Sequence, residues 1–184
     1  MFATSLGDGA ELRPLEPWLA EEFLAHMDRA RASLDPWISW ASRNADLVSA
    51  RATLQQYADK AARDEARLFG IWLDGTLVGG SVIVSFDAAL GTCEIGCWLE
   101  PAGRGRGLVT RASRQVIDWV VGRGIHRVEW LARSDNAASL AVARRLGMRL
   151  DGVLRAAFPW QGQRHDLEVW SVLAPEWPAV RPPD

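Results

Sequence analysis

The chain reads as an α/β (α+β) protein, a sheet with helices packed on both faces. Three observations lead there. The first half carries a hairpin signal, Asp74-Gly75 between two apolar runs. The second half alternates strand, helix and strand, and its helical stretches are amphipathic. At 184 residues, with 48% hydrophobic and 24% charged residues, the chain is ordinary for a globular domain and long enough for a sizeable core.

The elements follow in order. Glu11–Pro14 is expected as a short first strand, and Trp18–Ala30 as a helix, with Leu19, Phe23 and Met27 spaced by four. Pro36 then interrupts the pattern in a bend flanked by Trp37 and Trp40. A second helix is expected over Leu47–Arg63, followed by strands at Arg67–Leu73, Leu77–Phe86 and Thr92–Leu99. Leu108, Ala112, Val116 and Trp119 form one stripe, which predicts a helix over Gly107–Val121 stopped by Gly122 or Gly124. Arg127–Arg133 is a further strand. Asp135-Asn136 caps a helix that ends at Leu146, with Gly147 in the left-handed position. Two strands near Arg149–Ala157 and Asp166–Leu173 close the domain around the turn Gln161-Gly162. The domain is expected to span 1–174, and the Pro-rich tail 175–184 to fray.

Composition excludes several classes. A net charge of −2 gives no basic surface for sequence-independent nucleic-acid binding. No apolar run approaches the ~20 residues that span a bilayer, so no membrane partner is expected. The start, MFATSLGDGAE, has neither the charged nor the apolar region of a secretory signal. Cys93 and Cys97 lie about 13 Å apart at strand rise, too far to bond, and as reduced thiols they suit the cytoplasm. His26, His126 and His165 are scattered without metal-ligand spacing, so no metal site is expected.

GRGRGLVTRA, Gly103 to Ala112, is the most informative stretch. Gly103, Gly105 and Gly107 remove the side chains that would hold a ligand off the backbone. The helix starting near Gly107 offers unpaired N–H groups and the positive end of its dipole at the same point. Arg104 and Arg106 add charge. Such a junction suits an anion, a pyrophosphate in particular. It is not a triphosphate loop, because Leu108 stands where Lys would follow the glycine, and not a dinucleotide fingerprint, because Thr110 stands where the last glycine belongs. A bare strand-to-helix turn with no ligand is the alternative.

The order of these pieces resembles the GNAT acyltransferases, in particular their RimJ/RimL-like N-acetyltransferase branch. ELRP, LDPWISW, IWLDGTLVGG, EIGCWLEPAGRGRGLVTRA, ARSDNAASLAVARRLGM and WQGQRHDLEVWSVLAPEWP carry the resemblance across nearly the whole chain. It implies a mixed, mostly antiparallel, twisted sheet of about seven strands in a cytoplasmic bacterial enzyme. In the family's loop pattern Gly105 and Gly107 match, while Ala102 replaces the usual Gln or Arg. The implied co-substrate is acetyl-coenzyme A. Its pyrophosphate would sit on N–H groups from Arg104 through Gly105, Arg106, Gly107 and Leu108 to Val109, with Thr110 in the next position. Pantetheine would run along Cys97, Trp98 and Leu99 like an added strand.

The resemblance also nominates side chains for the chemistry. Ser139, in Asn136-x-x-Ser139, would protonate the departing sulfur, and Asn136 would hydrogen-bond the pantetheine arm; the plain alternative is a helix cap and a first-turn serine. A backbone N–H near Trp98 would polarise the thioester carbonyl. Glu94 stands where many family members carry a catalytic base. Alternation puts Glu94, Gly96 and Trp98 on one face, and apolar surroundings would raise its pKa. A structural carboxylate is the alternative, and Glu129 and Asp166 are further candidates, Asp166 more as a tie within the last hairpin. A second glutamate that some relatives carry before the late turn is replaced by Phe158. Trp37 and Trp40 would wall the acceptor cleft or else belong to the core, where Trp119, Trp130 and Trp170 are expected.

The leading expectation is acetylation of a protein or peptide N-terminal α-amine, with a homodimer allowed for. Acetylation of a small amine is the second reading, and a non-catalytic acyl-CoA-binding regulator the third.

Overall fold

The structure is a computed structural model that describes residues 3–182. Eight strands form one sheet in the order β1-β2-β3-β4-β5-β6-β8-β7. β1 (Thr4–Gly7) and β2 (Ala10–Pro14) make an edge hairpin, β3 (Arg67–Leu73) and β4 (Thr76–Asp87) a second, and β7 (Arg149–Trp160) and β8 (Gln163–Leu173) a third at the other edge. β5 (Thr92–Leu99) and β6 (Arg127–Arg133) lie between. All neighbouring strands run antiparallel except β5 and β6, which are parallel.

One face carries α4 (Leu108–Gly122) and α5 (Ala137–Arg145), packed on Ile71, Ile83, Ile95 and Trp130. The other carries α1 (Ala20–Leu34) and α3 (Leu47–Ala62), whose Phe23, Met27 and Leu54 close over Leu68, Trp72 and Trp98. Asp46 starts α3 with a capping box shared with Ser49. The bend after α1 holds the short α2 (Trp40–Arg43).

The expectations from sequence depart from the structure at three places. The strand β1 is additional, so the sheet has eight strands where about seven are expected. TSLG buries Leu6 alone of its four residues, and the signal for it is the Asp8-Gly9 turn, both residues at positive φ. Trp119 is not core. Ile117 and Val120 complete the buried face of α4, and the Trp119 ring lies partly exposed between the guanidinium groups of Arg67 and Arg123.

The tail does not fray over its described residues. Trp177, at the start of α6 (Trp177–Val180), is buried and its indole donates to Asp118 at 2.7 Å. Arg181 pairs with the same carboxylate at 2.8 Å. Val180 packs over Gly147, which sits at φ +71°, as the sequence predicts for a helix stop. Pro183 and Asp184 lie outside the described residues.

The feature that positions the site is the parallel pair. Register runs Thr92↔Arg127, Cys93↔Val128 and Glu94↔Glu129, and then stops. Beyond Glu94, β5 continues along β4 as far as Leu99 while β6 continues along β8 as far as Arg133. A bulge at Val84 of β4 falls opposite this point, between the pairs Ile83↔Ile95 and Ser85↔Glu94, and adds local twist where the two strands part.

Candidate active site

The parting strands open a cleft of about 620 Å³ whose floor is the free edge of β5. Cys97, Trp98 and Leu99 line it, so backbone groups on this edge are offered to a ligand that runs as a strand would. Burial pushes the thiols of Cys93 and Cys97 up to about 12, which keeps both protonated.

At the end of β5 the chain makes one 3-10 turn, Pro101–Gly103, and enters the glycine loop. Gly105 and Gly107 have φ of +76° and +68°, and a Cβ at either position would meet no protein atom within 4 Å. Glycine serves here to bend the backbone into the left-handed region and to leave open space beside it. The first amide of the helix to find an acceptor is that of Arg111, on the Gly107 carbonyl. The N–H groups of Gly105, Arg106, Gly107, Leu108, Val109 and Thr110 precede it, with no backbone acceptor among the described residues. This nest, at the positive end of α4, is chemically an anion site.

Two of the expected cradle residues need correction. The Arg104 N–H is taken by the Pro101 carbonyl at 3.1 Å, so Arg104 lines the cleft by its side chain and not through a free amide. Arg106 is exposed and does not line the cleft, and its carbonyl is held by Arg111 at 2.8 Å. Its amide remains available.

Glu94, the last residue of β5 paired with β6, lies half-buried on the cleft floor. Burial, reinforced by the nearby Glu129, raises its pKa above the ordinary carboxylate value. Glu129 is less suited as a base because Arg127 holds it at 2.7 Å. Asp166 accepts the N–H of Ala156, a non-glycine residue at φ +52°, and so ties the last hairpin together.

From the opposite wall come Asn136 and Ser139. The Asn136 side chain does cap α5, accepting the Ser139 N–H at 3.1 Å, while its own amide hydrogens stay uncommitted at the cleft. The Ser139 hydroxyl accepts a hydrogen bond from the Trp130 indole N–H at 2.9 Å. A hydroxyl has one proton to give, and with the indole occupying a lone pair that proton is free for a partner in the cleft. Trp130, expected from sequence as core, is buried and also orients this group. A tryptophan on the apolar face of a strand carries no sequence signal of that second role.

Trp37 and Trp40 both line the outer part of the cleft. Trp40 also packs against Trp98, ring centroids 5.0 Å apart, and against Tyr57 at 5.8 Å, so core and wall are one role here. Phe158 of β7 lines the cleft as well.

A buried polar cluster beneath the cleft has no counterpart among the expectations from sequence. Trp98 donates its indole N–H to Nε2 of His26 at 3.0 Å. An Nε2 that accepts leaves the proton on Nδ1, which faces Glu100 Oε2 at 3.1 Å. Arg29 donates to the same oxygen at 3.2 Å and to the Leu77 carbonyl at 2.7 Å. Burial, helped by the Arg29 guanidinium, lowers the His26 pKa to about 3, so the ring is neutral as the hydrogen bonding requires. The indole itself lies over Gly80, where a Cβ would stand 2.1 Å from it. Partners from α1, β4 and the end of β5 thus converge, and sequence separations of 48 to 74 residues hide them.

The family described as Acetyltransferase (GNAT) domain matches residues 10–149. The chain belongs to this acetyltransferase family. It is 28% identical over 183 residues to the "Putative ribosomal N-acetyltransferase YdaF" of Bacillus subtilis strain 168, covering 96% of this chain and 98% of that one. RimJ of Mycobacterium smegmatis, solved in complex with a CoA-disulfide, superposes with a TM-score of 0.84 at 26% identity, over 92% of this chain and 84% of that chain. A RimL ribosomal L7/L12 α-N-protein acetyltransferase, solved with coenzyme A, shares the fold with a TM-score of 0.88 at 22% identity, over 93% and 97% of the two chains. Among the described residues no helix is long and apolar enough to cross a membrane, and no group of His, Cys, Asp and Glu could hold a metal ion.

The neutral, buried His26 makes stability depend on pH. Between pH 6.5 and about 3 the unfolded chain binds a proton that the folded ring refuses, so lowering the pH through this window destabilises the fold. From pH 7 to pH 5 the loss from this group should be about 2 kcal/mol. His26→Gln, whatever its stability at pH 7, should lose that part of the slope in denaturant titrations at the two pH values. An unchanged slope would show that His26 is not held neutral.

Proposed function

We propose that this protein is an acetyl-CoA-dependent N-acetyltransferase whose acceptor is the α-amine at a protein or peptide N-terminus. One observation carries the reading. The nest of unpaired N–H groups from Gly105 to Thr110 and the unpartnered edge of β5 form one continuous surface, suited first to a pyrophosphate and then to an amide-bearing arm. Coenzyme A has these two parts in this order. CoA-bound relatives of the same fold support the assignment, and acetyl-CoA, when bound, supplies the activated acetyl group.

The residues then divide the work. Gly105, Gly107 and the start of α4 hold the pyrophosphate, with Arg104 beside it, and Cys97 to Leu99 hold the arm by their backbone. The free amide hydrogens of Asn136 bond the arm from the other wall, and a backbone N–H near Trp98 serves the acetyl carbonyl. Glu94 takes the proton that the amine loses as its nitrogen bonds the acetyl carbon, directly or through one water. Ser139, held by Trp130, gives its proton to sulfur as the carbon–sulfur bond breaks and takes one back from water in the open cleft. The acceptor enters past Trp37, Trp40 and Phe158. This wall is open and aromatic, with Glu94 as its carboxylate, which suits a peptide end better than a polycationic small molecule. The ribosomal N-acetyltransferase description of the Bacillus relative agrees with a protein acceptor.

Acetyl-CoA should raise the melting temperature of the wild type by mass action. Gly107→Val, strained at φ +68° and projecting a branched side chain into the nest, should abolish most of that rise. A full ligand-induced shift in the variant would refute the cradle.

Glu94→Gln should lower kcat/KM near neutral pH by roughly 10²–10⁴-fold. The deficit should narrow as rising pH deprotonates the amine. A deficit of a few-fold or less at every pH would assign the proton to solvent or another group.

Ser139→Ala and Trp130→Phe should each lower kcat more than they raise the KM for acetyl-CoA, because proton delivery matters in the transition state. The double variant should be no slower than Ser139→Ala, since the indole acts only through the hydroxyl. Multiplying losses would separate the indole from the hydroxyl.

A further inference from the structure

Beside the cleft lies a second cavity of about 350 Å³. The two share a wall made by the Trp37 indole and the Arg133 guanidinium, stacked 5.0 Å apart. Arg133 is fixed there by Asp135 at 2.5 Å and by the Pro36 carbonyl at 3.1 Å. The far side comes from the β7–β8 turn, as Trp160, Gln161, Gln163 and His165. Phe158 and Trp160, two apart on β7, stack at 5.9 Å, so one strand places a ring in the cleft and the next ring in this cavity.

The chemistry of the lining is one-sided. Arginine, two carboxamides, an imidazole and two indoles all bring donors, only the carboxamides and the imidazole bring acceptors as well, and no lining residue is a carboxylate. The Trp160 indole N–H is buried and has no acceptor. Orphaned buried donors are rare in native proteins and call for a partner. A cavity with this lining fits an oxygen acceptor and disfavours a cation.

We infer that this cavity is a specificity subsite for the acceptor chain, taking the carboxylate side chain of a residue downstream of the acetylated amine. The inference rests on the N-terminal acceptor reading above. An extended peptide leaving the cleft passes the shared Trp37 and Arg133 wall, and its side chains alternate in direction at a rise of roughly 3.3 Å per residue. Trp160 and Gln163 then donate to the carboxylate, beside the Arg133 guanidinium that Asp135 holds in place. A lysine at the same place finds no carboxylate in the lining, only the weaker acceptors of the two carboxamides and the imidazole, with the Arg133 guanidinium as a like charge nearby.

The test uses free-amine peptides that differ only by Asp, Asn or Lys at positions 2, 3 and 4, with kcat/KM measured for each. At one of these positions the Asp peptide should exceed the Lys peptide by about tenfold or more, the scale of one charge-assisted hydrogen bond, with Asn between. Trp160→Phe keeps the stack on Phe158 and lacks the N–H. It should shrink that ratio several-fold while leaving the Lys peptide unchanged. Gln163→Glu, at an exposed position in the hairpin, should reverse the preference and serves as the deciding variant if Trp160→Phe also loses the Lys-peptide rate. Peptides acetylated with no position discriminating, with Lys preferred, or with ratios untouched by both variants would overturn the subsite and leave the acceptor reading standing. If no peptide is acetylated while a small amine is, the acceptor reading itself falls, and the subsite with it.

Discussion

The cleft in this molecule depends on a parallel strand pairing that is made for three residues and then released. Thr92 to Glu94 of β5 lie against Arg127 to Glu129 of β6, and past that point each strand keeps its other neighbour and loses this one. A sheet interior normally leaves no backbone group unpaired. Here the unpaired edge faces an open cleft, where water or a ligand can satisfy it, and the bulge at Val84 supplies twist at the point of parting. The Glu94 carboxyl sits at the vertex, which explains both its burial and its raised pKa.

An opened sheet needs reinforcement on its closed side. The cluster of Trp98, His26, Glu100 and Arg29 provides it at the end of β5, where the strand turns into the glycine loop. Glu100 is buried, and a buried carboxylate without partners would be strongly destabilising; His26 and Arg29 both donate to it. The Glu100 N–H is in turn held by the Val78 carbonyl at 2.8 Å. The residue that launches the loop is therefore fixed by backbone and side chain together. Trp98 carries the same rigidity outward, since its ring supports Trp40 in the cleft wall.

The two walls of the cleft differ in origin. The β5 wall and the start of α4 are contiguous in sequence and offer mainly backbone. The other wall is assembled from β6, α5 and the β7–β8 hairpin, and offers side chains: Trp130, Ser139, Asn136 and Phe158. Backbone donors suit the invariant part of a co-substrate, whereas side chains can be exchanged to suit different acceptors.

Signals of short range are legible in the sequence. The glycine loop, the Asn136 cap, the left-handed Gly147 and the Gln161-Gly162 turn depend on local backbone chemistry, and the alternation along β5 is enough to place Trp98 and Ile95 on opposite faces. The ordered motifs from ELRP to WQGQRHDLEVW carry the family resemblance. What the tertiary structure decides is the set of meetings between distant segments. Arg104 has its amide spent within a 3-10 turn, Trp119 is held at the surface by two arginines, and the tail is pinned by Asp118 through Trp177 and Arg181. The Trp130–Ser139 bond and the His26–Glu100 cluster are of the same kind. Local propensity is written in neighbouring residues, but which hydrogen-bond acceptor a buried indole or imidazole finds is settled only when the sheet brings its strands together.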